Sequence, residues 1–532
     1  MAMKRLLGLE KRLSKDSELR QGVKEQINSY EQKQYISKAS TGRGRQSGYS
    51  TCLVSTAGSS YQSQIAWQYS DGMGCDRKKK ACFNDMLLKG PDLLVSLVDV
   101  LLRFRQGKVA VCSGIRKMFL RILIRDEDSW SLCFLWRSNP EELREVYVIN
   151  VAIFGATSSP CTAHVNSMEE AVQLEQQVQD IHAAAGFQFG KILSNEKAVL
   201  DRLGETSTAI SKPLPVDKDR ICERVLGVIW IPSEDAFTLN QQGLEEVLGA
   251  DWAAPTKRQV LRIVMKLYHP LGLIALFVVQ GKILMHEIWR TDTSWDEPIA
   301  DQPRELWMRW IKHYRQINEV NVPRCFFKDF CPQQVSDIQV HVFTDASVSA
   351  CACVAYLRRT GNGESQCSLI AAKTKVALLR TLSIPRLELQ VAMMCSRLLQ
   401  NICSALIIDI HRCFLWSDSA TLLAWHRSGS RRYHQFMSFR VGEILSLTSV
   451  DEWRYDPSRE NVADDATKWN GGPSFDPSCR WYQGPAFLQD PESQWPTERP
   501  GDTAEADTAT CDSICSPSCS SMKALNERDK IA

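Results

Sequence analysis

Four acidic residues stand where carboxylates could work together. Asp345 closes the run Val342-Phe343-Thr344-Asp345, and Glu388 sits in Ile384-Pro385-Arg386-Leu387-Glu388-Leu389. Asp418 ends Phe414-Leu415-Trp416-Ser417-Asp418, and Asp464 lies in Asn461-Val462-Ala463-Asp464-Asp465-Ala466-Thr467-Lys468. Clustered carboxylates of this kind can hydrolyse a phosphodiester with two divalent ions about 3.5–4 Å apart, one activating water and one steadying the leaving oxygen. Mg²⁺ (or Mn²⁺) takes oxygen ligands, so Asp and Glu are the fitting residue types. Singly, each acid has a plainer explanation. Glu388 complements a helix dipole, and Asp464-Asp465 can cap a helix. What would group them is the order of elements that carries them.

From Ile338 that order is legible. Ile338, Val340 and Val342 alternate with Gln339, His341 and Phe343, a strand pattern ending at Asp345. Strands follow at 350–357 and 368–374, a helix at 385–406, and a fourth strand at 413–417 that ends at Asp418. Helices from Ala420 and His434, a strand at 452–455 and a last helix near Ala466 complete βββ-α-β-α-α-β-α. This is an α/β layout with a mixed sheet. With acids at these four places it is the order of a ribonuclease H-like fold.

Upstream the pattern is mixed α+β. A helix is expected over 16–36, where Leu19, Val23, Ile27 and Tyr30 recur at helical spacing, and another over 94–104. Val109-Ala110-Val111 begins a strand and Tyr147 to Ile153 forms another. A helix is expected over 168–185, and a hairpin joins Leu226–Trp230 to Phe237–Leu239. Thr256 is placed to cap a helix reaching about Tyr268, where His269-Pro270 stops it. A second helix covers 273–290, and a linker follows at 295–303.

The bulk numbers set limits. The 532 residues allow three or four domains, and a net charge of +2 neither demands nor excludes nucleic acid. The 19 cysteines follow no framework, and Cys351, Cys353 and Cys403 read as core thiols in a reducing compartment. Cys511, Cys515 and Cys519 lack a fourth ligand for zinc. Met1-Ala2-Met3-Lys4-Arg5 leads into a mixed-charge helix without the apolar core or cleavage site of a signal peptide, and the longest apolar stretch, Leu271 to Val279, is too short to span a bilayer. An intracellular protein, cytoplasmic or nuclear, not secreted and without a membrane partner, is expected.

The phrases Phe343-Thr344-Asp345-Ala346-Ser347, Ser383-Ile384-Pro385-Arg386-Leu387-Glu388-Leu389, Trp416-Ser417-Asp418-Ser419 and Asn461 through Lys468 resemble the Pol polyprotein of BEL/Pao long-terminal-repeat retrotransposons. The resemblance runs to about Pro496, with a break near 45–75. It implies reverse transcriptase, connection and ribonuclease H in that order, with Asp345, Glu388, Asp418 and Asp464 as catalytic ligands of two Mg²⁺ or Mn²⁺ ions and Asp465 as the fallback for the last. The domains expected are a helical segment (1–45), a loop (46–80), degenerate reverse-transcriptase fingers and palm (81–210), thumb and connection (211–325), a ribonuclease H-like domain (326–475) and a largely disordered tail (476–532).

Asn84 through Asp92 and Ile153 through Pro160 are similar to the family's fingers and template grip. A polymerase palm needs at least two aspartates for its own metals. Gly114 stands where the first is expected, just before Ile115-Arg116-Lys117-Met118-Phe119, and no Tyr-x-Asp-Asp follows Pro160. Loss of DNA synthesis is therefore expected. The expected partner is an RNA–DNA hybrid, told from DNA by its 2′-OH groups and groove shape. Candidate contacts to its backbone are Arg358, Arg359, Lys373, Lys375, Arg427, Arg431 and Arg432. No integrase signature follows, so a fragment or terminated copy of a longer polyprotein is expected. The alternatives are a catalytically dead nucleic-acid-binding remnant and, from the name Pao retrotransposon peptidase alone, an aspartic peptidase. No Asp-Thr-Gly or Asp-Ser-Gly supports the last.

Overall fold

The protein is described by a computed structural model covering residues 2–39, 88, 96–115, 118–129, 132–152, 189–196, 223–225, 228–239, 252, 254–327, 337–361, 363–377, 383–428, 435–468 and 472–497. The expected helix at 168–185 and the cysteines of the C-terminal tail lie outside these residues. The chain divides into two units, one built mainly from 1–95 and 112–193, the other from 96–111 and 206–532.

In the first unit, α1 (Ala2–Leu13) and α2 (Ser17–Gln32) precede β1 (Ile36–Lys38). Asp16 caps α2, its Oδ1 accepting from the Leu19 N–H at 2.9 Å. A short strand, β2 (Val111–Ile115), contains Gly114. β3 (Cys133–Trp136) and β4 (Glu145–Ile149) join β1 in an antiparallel sheet ordered β1-β4-β3. The apolar stripe of α2, Val23, Ile27 and Tyr30, packs with Phe134, Trp136, Tyr147 and Ile149 in one core. β5 (Phe189–Ser194) pairs with β2.

The second unit opens with α3 (Leu97–Phe104). β6 (Glu223–Val225), β7 (Val228–Ile231), β8 (Ala236–Thr238) and β9 (Val322–Pro323) form a small antiparallel sheet. α4 (Lys257–Lys266) starts from a capping box in which Thr256 and Gln259 satisfy each other's backbone N–H groups. α5 (Ala275–Arg290) follows, and then α6 (Asp301–Tyr314), which starts inside the stretch expected to be a linker. Pro303 is in its first turn, where a missing N–H costs nothing, and Trp307, Trp310 and Tyr314 are buried on one face.

The principal sheet contains β10 (Asp337–Ala346), β11 (Ala350–Gly361), β12 (Glu364–Val376), β13 (Arg412–Ser417) and β14 (Trp453–Tyr455). Its order is β12-β11-β10-β13-β14, antiparallel among the first three and parallel from β10 to β13 and from β13 to β14. With α7 (Ile384–Ala405), α8 (Ala420–Ser428), α9 (Gln435–Leu447) and α10 (Asp464–Thr467) in the connections, this is the ribonuclease H-like mixed sheet expected from the sequence.

α7 lies on one face of the sheet, with Leu387, Val391, Cys395, Leu398 and Ile402 buried. The opposite face is aromatic. Phe343 stacks on Trp416 with centroids 5.8 Å apart, and Trp416 Nε1–H donates to His341 Nδ1 at 3.1 Å. Phe487 and Trp495 pack edge-on or tilted against Trp416.

That last packing corrects the expected end of the domain at 475. Residues 472–497, including α11 (Arg480–Gln483), are laid on the sheet. The Tyr356 hydroxyl donates to Trp481 O at 2.8 Å, and Trp481, Phe487, Leu488 and Trp495 are buried. The segment has few regular elements to betray it, but its aromatic side chains bury a large apolar area. The turn before α5 is integral too. Gly272 has φ +71°, and a Cβ there would collide with the Ala372 backbone of β12, whose N–H donates to Leu271 O at 2.9 Å.

Candidate metal centre

The parallel register pairs Thr344 with Ser417, so Asp345 and Asp418 emerge together at the same ends of β10 and β13. Asp464 arrives as the first residue of α10. The segment leading to it is pinned by Asn461, whose buried Nδ2 donates to Thr344 O at 2.9 Å while its Oδ1 accepts from the Ala463 N–H at 3.0 Å. One carboxylate oxygen from each of Asp345, Asp418 and Asp464 lies within 4.8 Å of the others. Glu388, a turn into α7, stands one hydroxyl away. Ser419 Oγ, adjacent in sequence to Asp418, donates to Glu388 Oε2 at 2.6 Å.

Each of the four carboxylates is held by a side-chain donor. Thr467 Oγ1 donates to Asp345 Oδ2, and Ser458 Oγ donates to Asp418 Oδ2 at 2.8 Å. Lys468 Nζ donates to both oxygens of Asp464 at 2.9 and 2.8 Å. Thr467 and Lys468 follow Asp464 by three and four residues, a helical spacing readable in the sequence. Ser458 lies in an irregular loop and carries no such signal. Asp465, the fallback ligand, is engaged by Arg480, whose Nε donates to its Oδ2 at 2.9 Å. The structure thus brings Asp464, not Asp465, into the cluster.

Burial and nearby negative charge raise two of these acids, Asp345 and Glu388. Asp345 is pushed up to about 7, first by burial; the Thr467 hydroxyl opposes the rise and the charges on Asp464 and Asp418 add to it. Glu388 is raised by burial, with the Ser419 hydrogen bond opposing and Asp418 adding. A fifth acid, Asp456, was not anticipated. It is fully buried, and neither carboxylate oxygen has a hydrogen-bond partner. Burial, then the charges of Asp418, Glu460 and Asp464, raise it to about 8. A set of convergent oxygen donors whose negative charges repel one another suits a hard divalent cation.

The candidate nucleic-acid contacts separate. Arg358 is buried within the fold: its Nε donates to Leu488 O at 2.7 Å and its other nitrogens to Gln339, Ser365 and Asp490 O. It is a strut between β11 and the 472–497 segment, not a surface cation. Arg359 is half-buried, bonded to Gln366 and lying over the Phe327 ring at 4.9 Å. Lys373 and Lys375 are exposed on β12, and Arg427 is exposed in the last turn of α8. Arg431 and Arg432 lie outside the described residues. Among the described residues, no helix is long and apolar enough to cross a membrane.

Comparison with known proteins gives a family match and likenesses to solved structures. A solved structure of the foamy viral protease–reverse transcriptase dRH in complex with double-stranded DNA is similar at 13% identity, over 69% of this chain and 60% of that one, with a TM-score of 0.43. No curated protein matches. Residues 256–419 match the family model described as the Pao retrotransposon-like RNaseH-like domain. That stretch begins at the Thr256 cap, carries Asp345, Glu388 and Asp418, and stops before Asp464. Over residues 256–419 the chain is therefore similar to the Pao retrotransposon-like RNaseH-like domain.

Proposed function

We propose that this chain is a retrotransposon Pol fragment whose ribonuclease H-like domain cuts the RNA strand of RNA–DNA hybrids, using divalent metal held by Asp345, Glu388, Asp418 and Asp464. The convergence of Asp345, Asp418 and Asp464 within 4.8 Å at the ends of two parallel strands carries this reading. When bound, two Mg²⁺ or Mn²⁺ ions would supply nucleophile activation and neutralisation of charge at the leaving oxygen. The chain's own part is orientation. Thr467, Ser419 and Ser458 fix the directions of Asp345, Glu388 and Asp418, and Asn461 holds the start of α10 against β10. Exposed Lys373 and Lys375 supply positive charge for a backbone on the β12 side.

The polymerase half is read as inactive, because Gly114 in β2 offers no carboxylate where the family's first palm aspartate is expected. The alternative, a dead binding remnant, draws on Asp456, whose unpartnered carboxyl burdens the very end of the sheet that bears the site.

The test is cleavage of a labelled RNA–DNA hybrid by the full-length chain with Mg²⁺ or Mn²⁺, beside Asp418→Asn. Cutting by the wild type that disappears in the variant supports the proposal. A folded wild-type chain that leaves the hybrid intact in both metals sinks it. Primer extension in the same buffers checks the polymerase half, and any extension overturns that part.

A further inference from the structure

We infer that Lys468 is a positioning residue for Asp464, an internal cation that holds this ligand in the ion-free protein and competes with a divalent ion for it. The inference rests on the reading of the four carboxylates as a metal site.

Lys468 lies one turn beyond Asp464, just past the end of α10. Its ammonium takes both oxygens of Asp464, at 2.9 and 2.8 Å, so the acid that α10 brings to the cluster is engaged on both atoms. The same ammonium feels the charges of Asp345 and Asp418: burial works against its charge, and the Asp464 hydrogen bond with the three aspartates outweighs that. The other cation at this end, Arg480, is tied to Asp465 and to Arg459 O.

An ammonium against both oxygens of Asp464 competes with a divalent ion for them. An ion that enters meets like-charge repulsion while the ammonium stays, and that repulsion falls when Lys468 swings away. The Lys468 side chain is 44% exposed and has solvent to move into, whereas that of Asp464 is 14% exposed. The pair therefore keeps Asp464 aimed at the cluster without metal, at the cost of weaker metal binding.

The experiment uses the full-length chain without nucleic acid, with Mn²⁺ alone as probe. Free Mn²⁺ is followed by electron paramagnetic resonance for wild type, Lys468→Met, Lys468→Gln, Lys468→Arg and Asp345→Asn. Lys468→Met and Lys468→Gln are expected to bind Mn²⁺ roughly tenfold more tightly, and Lys468→Arg to stay near wild type. Their ion-free melting temperatures should fall and then recover with Mn²⁺ by more than the wild type gains. Equal or weaker Mn²⁺ binding by the two neutral variants overturns the inference and leaves the metal site standing. A wild type that binds Mn²⁺ no better than Asp345→Asn does overturns both.

Discussion

Asp418 and Asp456 end neighbouring parallel strands one step past the Ser417–Tyr455 pair, yet only Asp418 has a donor. The Asp456 N–H donates to Ser417 O at 3.0 Å, which commits its backbone to the ladder and leaves its carboxyl sealed beside like charges. A lone carboxylate in such a place costs several kcal/mol unless it takes up a proton.

Replacing Asp456 by Val is therefore expected to stabilise the ion-free protein, by roughly 2–4 kcal/mol at pH 8. The folded pKa, about 8, lies above that of the unfolded chain. A raised acid of this kind favours the fold below the unfolded value, and that contribution is lost as pH rises to about 8. The gain from the substitution should grow from pH 5 to pH 8 and then level. Urea melts of both proteins across this range provide the check, and a gain that shrinks with pH would contradict it.

Protons and metal compete for Asp345. With its carboxyl raised to about 7, Mn²⁺ affinity is expected to climb up to about tenfold per pH unit below 7 and flatten above. Calorimetric titrations from pH 5.5 to 8.5 measure the slope. A flat profile would remove Asp345 from the ligand set.

Two basic residues of adjoining strands should behave in opposite ways. Arg358→Met strands acceptors on Leu488, Gln339, Ser365 and Asp490, and an expected loss of about 2–4 kcal/mol of stability follows. Lys373→Ala, at an exposed position, should leave the melt unchanged and weaken hybrid binding, with the salt slope reduced by about one. Melting curves and salt-dependent binding separate the two. A normal melt for Arg358→Met, or an unchanged slope for Lys373→Ala, would refute the respective assignment.

Ending the chain after residue 475 should cripple the domain. It removes Trp481, Phe487, Leu488 and Trp495 from the aromatic face around Trp416, and loss of a single buried aromatic typically costs about 3–5 kcal/mol. Truncation after residue 497 should be tolerated. Soluble yield and hydrogen exchange of the two products provide the comparison, and equal protection of β11 would contradict it.

The central strands were legible because β10 alternates cleanly and β13 is a short apolar run, and each delivers an aspartate at its end. Glu388 was legible because Ser383-Ile384-Pro385 marks a helix start. The hairpin of β7 and β8 was legible from its paired apolar runs. α6 was hidden by Pro303, which reads as a breaker until it is seen in the first turn. The covering segment 472–497 was hidden because its anchoring depends on aromatic side chains spaced without period. Arg358 looked like a surface cation because a strand's sequence does not show what lies over its face. Asp456 had no signal at all: an acid after a strand is ordinary until the neighbouring strand ends in another.

Arg105, just after α3, is fully buried, and its guanidinium donates to Leu369 O at 2.6 Å and Ile370 O at 3.1 Å on the outer strand β12. Its Nε donates to Arg324 O, and Arg324 in turn grips Asp235 and the carbonyls of Phe104, Gly107 and Lys108. The outer strand of the principal sheet is thus held by a residue more than 260 positions earlier in the chain. A deletion that reaches Arg105 would strip these two carbonyls of their donor and open part of β12 to strand addition between molecules, so the loss would show first as aggregation.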